Sequence, residues 1–349
     1  MTGALSESLL DKDTPARPFG SRGLAVALLV LVSLLGSTDP LLVHFMQMTL
    51  VEAKDTNLPI LFWKHVGMTV VGGTYALIHH FRMHGQLAPT AGERGGILGL
   101  RQLGTAVLMM ALCNLCWTWS MILTTASHSV ALFIMQPPWS CLFAWVFLGQ
   151  RPGQHTLLAS ILAFAAAMGI VMYSYSLPPL DNPASLTVHS TGVTTDAIAL
   201  SSGIFLAGYT TALSWAAETC PEAPMHLASP MASGLIAVGT YAAAAMYGIP
   251  LGTLMGEGAA MPGFAVAMAI NSFNESIWDI APAWASKFLS APSIGLILLL
   301  ELPVGTTYVA QVFGERPDGV EIALGLAMLV ALAIEHVLPW CMPSLFTSE

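Results

Sequence analysis

A few ionisable side chains interrupt otherwise apolar stretches of this sequence, chiefly Lys64, Glu275, Asp279 and Glu301. Asn271, Glu275 and Asp279 are spaced four apart, so on a helix they form a stripe along one face. An ionisable group at the centre of a membrane helix costs roughly 2.5–3.5 kcal/mol on insertion scales, so such a stripe must face protein or water, not lipid. Carboxylates held there can bind a cationic or zwitterionic solute, and they can carry protons. Glu301 lies two residues before Pro303, and a proline in a helix frees a backbone carbonyl that can help build a polar site. Gln136 stands in the same relation to Pro138. Two readings stay open for Lys64: a side chain snorkelling toward an interface, or a partner for Glu275, Asp279 or a substrate carboxylate. Trp119 and Trp284 fit either an interfacial aromatic belt or the walls of a cavity. Asp39, beside Pro40, reads as an interface marker, and His44, His65, His79 and His80 read as interfacial or packing residues. The expected substrate-binding set is therefore Lys64, Gln136, Asn271, Glu275, Asp279, Glu301, Trp119 and Trp284.

The elements that position these residues follow from composition. Of 349 residues, 55% are hydrophobic and only 9% charged, and the mean hydropathy is +0.70. A typical soluble protein has about 25% charged residues, so a water-exposed surface could not be covered. A net charge of −9, with 11 Lys and Arg, leaves no basic face for nucleic acid. The five cysteines are odd in number and mostly fall in apolar runs, which argues for packing over a disulfide or metal framework. No metal and no cofactor are expected.

One bilayer crossing takes about 20 helical residues. Apolar runs predict ten spans, near 23–46, 58–81, 102–123, 125–148, 154–174, 196–217, 227–248, 262–287, 290–313 and 319–340. With a cytoplasmic N-terminus, Lys12, Arg17, Arg22, Arg82, Arg94, Arg101, Arg151 and Lys287 lie inside and only Lys54 and Arg316 outside. That asymmetry sets the orientation, with both termini cytoplasmic.

The chain also repeats itself. Gln136-Pro137-Pro138 through Gly149-Gln150-Arg151-Pro152 realigns without gaps 165 residues later, on Glu301-Leu302-Pro303 through Gly314-Glu315-Arg316-Pro317. At the same offset Trp119 meets Trp284, Ala126 meets Ala291 and Asn114 meets Asp279. The offset maps span four onto span nine. A repeat of five spans, being odd, enters the membrane inverted in its second copy. The expected fold is an all-α membrane protein of ten transmembrane helices in two inverted five-helix repeats. It divides into a cytoplasmic tail (1–22), a first repeat (23–174), an extracytoplasmic linker (175–195), a second repeat (196–340) and a cytoplasmic tail (341–349).

A mid-helix proline, an apolar half-helix and a closing Gly-Glu-Arg-Pro resemble the EamA-type repeat of the drug/metabolite transporter superfamily. The likeness is clearest over about 110–175 and 270–340, and the first copy departs from it in reading Gly149-Gln150-Arg151-Pro152. The resemblance implies ten helices, cytoplasmic termini and carriage of small metabolites by alternating access.

The expected function is thus a secondary transporter of a small polar metabolite, such as an amino acid, amine or related neutral or cationic solute. Its partners are the substrate, the lipid bilayer and, through Glu275 or Glu301, protons. Two alternatives remain: a nucleotide-sugar or sugar-phosphate exchanger of the same fold, and a non-transporting receptor or scaffold. No motif for an intramembrane enzyme is present. Substrate, coupling ion and host membrane stay open, as does oligomeric state, a homodimer included.

Overall fold

The computed structural model describes residues 19–52, 57–84, 96–123, 126–133, 135–176, 193–221, 223–255, 261–313 and 319–337. Every element among them is helical: α1 (Phe19–Gly36), α2 (Asp39–Glu52), α3 (Leu58–His84), α4 (Gly96–Leu123), α5 (Ala126–Phe133), α6 (Gln136–Leu148), α7 (Gln154–Ser176), α8 (Val193–Thr219), α9 (Ala228–Met246), α10 (Leu251–Met255), α11 (Pro262–Ala285), α12 (Ala291–Leu298), α13 (Glu301–Phe313) and α14 (Gly319–His336). The tail expected over 341–349, most of the tail over 1–22 and most of the linker over 175–195 lie outside the described residues.

The burial pattern is that of a protein in lipid. Large apolar side chains point outward, among them Leu31, Val70, Phe147, Val238, Val266 and Leu326, while Ser33, Thr118, Ser140, Thr210 and Asn271 are buried. In water this arrangement would be unstable; in a bilayer it matches the solvent and lets helices satisfy their own backbone groups. Among the described residues, six helical stretches are long and apolar enough to cross a membrane: Arg22–Leu50, Gly99–Leu123, Ser129–Leu148, Gln154–Tyr173, Thr194–Thr219 and Met225–Met246. The chain is an integral, multi-pass membrane protein. Helices α3 and α11, of 27 and 24 residues, are also long enough, but they carry Lys64 and the Glu275–Asp279 stripe.

Three runs that read as single spans are interrupted. The first breaks at Ser37-Thr38 into α1 and α2, where Pro40 lies in the opening turn of the second piece. The others break between α5 and α6 and between α12 and α13, and the helices resume at Gln136-Pro137-Pro138 and Glu301-Leu302-Pro303. Proline lacks the N–H that a helix interior requires, but fits its first turn. The limits of α5 and α6 fall 165 residues before those of α12 and α13. Helix α6 ends at Gly149, whose φ of 69° lets the Gly149 and Gln150 N–H groups donate to the Trp145 and Ala144 carbonyls. Only glycine adopts that conformation without strain, which accounts for the closing glycine of the motif.

Packing places α11 at the centre. It contacts α1, α2, α3, α8 and α9, while α4 lies along α8 and α9, α3 along α9, and α7 along α14.

Candidate functional site

The site forms where the stripe on α11 meets two helix breaks. Ser37 Oγ, in the α1–α2 break, donates to the Glu301 carbonyl at 3.4 Å, joining it to the start of α13. Asn274, on α11, donates to Thr38 Oγ1 at 2.9 Å. Gly36 makes this approach possible. A Cβ there would overlap the Trp278 indole and lie 3.2 Å from Glu301 Oε1.

Asp39 is the hub of one half of the site. It is 1% exposed, and its carboxylate accepts from Lys64 Nζ at 2.8 and 3.0 Å. It also accepts from Trp117 Nε1 at 2.7 Å and from Asn271 Nδ2. Helices α2, α3, α4 and α11 are thereby tied to a single buried anion. Lys64 lies farther, at 4.0 Å, from Glu275 Oε2. A buried charge is tolerated when it is paired and its remaining lone pairs are hydrogen-bonded, and Asp39 meets both conditions.

Asp279 is the hub of the other half. Its Oδ2 accepts from Ser229 Oγ at 2.8 Å and from Asn114 Nδ2 at 3.1 Å, while Tyr209 donates to its backbone carbonyl at 2.9 Å. Its Oδ1, and Glu301 Oε2, make no hydrogen bond among the described residues.

Between the two hubs lies a small pocket lined by Asn114, Trp117, Phe133, Glu275, Trp278 and Glu301, with a void too narrow for a water molecule. Three of its walls are aromatic. The Trp117 and Phe133 ring centroids are 4.4 Å apart, and those of Phe133 and Trp278 are 6.0 Å apart. Phe133 ends α5, so a third helix break borders the same space.

Five of the eight residues expected from sequence thus come together: Lys64, Asn271, Glu275, Asp279 and Glu301. The other three do not. Gln136 is buried, but it faces Ser140 and Thr210, each at 3.3 Å, and abuts Gly295. Trp119 is half-buried against the hydrophobic core, and Trp284 packs on Phe288 with centroids 5.0 Å apart. Asp39, Asn114, Trp117, Phe133 and Trp278 take their place. Asp39 carried a sequence signal, a carboxylate beside a proline in a Gly-Ser-Thr-Asp-Pro interruption of an apolar run. Asn114 carried one too, its alignment with Asp279. The aromatic residues carried none. Lys64, left open between snorkelling and pairing, is 1% exposed and paired with Asp39, which is buried instead of marking the interface because it takes this ammonium as partner.

Carboxylates buried at broken helices in a multi-pass membrane protein mark a candidate substrate or ion site. Residues 23–172 match the EamA-like transporter family, and the EamA resemblance read from the motif stands over this part of the chain. No curated protein matches the chain. One protein of known crystal structure aligns over 91% of this chain and 98% of its own, with a TM-score of 0.58 at 12% sequence identity. That likeness concerns the fold.

Proposed function

We propose that the protein is a secondary transporter of the drug/metabolite type, which moves a small polar metabolite by alternating access through a site lined by Glu275, Glu301, Asn114 and the flanking aromatic rings. The observation that carries this reading is the cluster of buried ionisable groups where helix breaks meet the α11 stripe. Their burial is too costly to persist without a role, and they lie near breaks between helices.

The proposed architecture is ten spans in two inverted five-helix repeats, divided near 175–195, with both termini cytoplasmic. Three observations support it. The helix breaks in α5–α6 and α12–α13 share one offset. The contacts come in matched pairs: α4 with α8 answers α11 with α1, and α3 with α11 answers α9 with α4. Asn114 and Asp279, which the 165-residue offset aligns with each other, are hydrogen-bonded. In an object with two-fold symmetry, equivalent points meet only on the axis. A contact between Asn114 and Asp279 is what a two-fold axis relating the proposed repeats would produce.

Acids outnumber bases at the site. Asp39 holds Lys64, and Lys287 is exposed in the turn after α11. A phosphate-rich substrate would need several cationic donors, so the exchanger reading has less support than an amine, amino acid or neutral solute. Glu275 or Glu301 would couple transport to protons.

Counterflow into proteoliposomes tests the reading. Vesicles preloaded with the right solute should accumulate tracer of that solute, whereas a receptor, scaffold or enzyme would show no counterflow for any member of a broad metabolite panel.

A further inference from the structure

Three of the donors at the pocket are already committed to carboxylates. Lys64 and the Trp117 N–H both serve Asp39, and the Asn114 amide serves Asp279. The Trp278 indole N–H makes no hydrogen bond among the described residues, and it shares the face of Gly36 with Glu301 Oε1. Left over are this one N–H, acceptors and π faces. Glu275 is only 4.0 Å from an ammonium that Asp39 holds more closely. Glu301 is 2% exposed, lines the pocket, and has an Oε2 with no hydrogen-bond partner among the described residues. Around them stand the Trp117, Phe133 and Trp278 rings.

From this we infer that the site takes a small organic monocation, an alkylammonium group seated against the Trp117, Phe133 and Trp278 rings and neutralised by Glu275 and Glu301. The inference rests on the transporter reading for its biological meaning, but not for its chemistry. Aromatic faces attract a cation within about 6 Å of the ring centroid, most strongly when water is excluded. A buried carboxylate gains most from a partner that brings a positive charge. An anion would find acids and, against them, a single neutral N–H from Trp278. A zwitterion would find a place for its ammonium but none for its carboxylate. The closed void means that entry requires the rings to part, which movement at the three helix breaks would allow.

The test is binding to the full-length purified protein in nanodiscs, followed by calorimetry and by intrinsic tryptophan fluorescence. The probes are choline, tetramethylammonium and butylammonium, with 3,3-dimethylbutan-1-ol as the uncharged counterpart of choline and inorganic phosphate as an anion. Choline or another of the cations should bind at least tenfold more tightly than the uncharged alcohol. Trp278→Leu and Glu301→Gln should each weaken it at least tenfold, while Trp278→Phe, which keeps a π face, should lose less than Trp278→Leu. Gel-filtration profiles matching the wild type establish that these variants are folded. If the alcohol binds as well as choline, if phosphate binds more tightly, or if none of the three cations binds, the inference is overturned. Counterflow separates it from the broader reading. Counterflow of an anion or sugar only would remove the monocation and leave the transporter. Cation binding without counterflow of any solute would remove the transporter and leave the site.

Discussion

At the scale of single residues, the Asp39–Lys64 pair decides how the site holds together. Removing one member of a buried pair leaves an uncompensated charge, at a cost of about 3–5 kcal/mol. Asp39→Asn and Lys64→Met should each destabilise the protein by about that amount in thermal unfolding. The double variant should lie closer to the wild type than the sum of the two, because neither charge is then stranded. If the costs simply add, the pair does not act as a unit. Glu275 belongs to the same scale. It is buried yet only loosely engaged by Lys64, and it is the proposed proton carrier. Uptake by Glu275→Gln should no longer respond to an imposed pH gradient; full retention of that response would remove Glu275 from proton coupling.

At the scale of elements, function depends on how closely helices approach at their interruptions, and glycine sets that distance at two positions. Gly36 lets α1 pack on Trp278 and Glu301, and Gly203 on α8 lies against the Phe133 and Leu132 carbonyls at the end of α5. A methyl group at either must displace an indole or backbone. Gly36→Ala and Gly203→Ala should each destabilise by about 1–3 kcal/mol, the usual cost of overpacking. At Gly104, in α4, an added methyl group would meet nothing within 4 Å, so Gly104→Ala should be neutral or stabilise by about 0.4–1 kcal/mol. Melting temperatures of the three variants provide the comparison. Equal behaviour would mean that the close approaches do not constrain the fold.

At the scale of the whole molecule, the expected inversion makes a topological prediction. Arg151 and Arg316 occupy equivalent positions in the two copies of the motif, 165 residues apart. In inverted repeats they must lie on opposite sides of the membrane. With the five native cysteines replaced, Arg151→Cys should resist a membrane-impermeant maleimide in intact cells, and Arg316→Cys should react. Labelling of both from one side would make the repeats parallel. A cysteine placed within 177–192 should react from the same side as Arg316→Cys if, as proposed, five spans precede that segment.

Much of this was legible in the sequence, because hydropathy and the penalty for burying charge are local properties. They determined the membrane class and most helix limits, though not the three breaks, and they picked out five of the residues that the candidate site brings together, while the motif pointed to the family matched over 23–172. Partner choice depended on tertiary packing. Lys64 meets Asp39, on a different helix and 25 residues away, instead of the α11 acids alone. Trp117 faces the pocket and Trp119 does not, since two residues on a helix differ by about 200° in direction and only packing decides which direction is inward. Gln136 and Glu301 match in sequence, yet Thr210 on α8 holds the first while the second faces the rings. Sequence thus determined which groups were too costly to expose to lipid, and tertiary structure decided what each one faces, because that is fixed by helix rotation and by contacts between residues far apart in the chain.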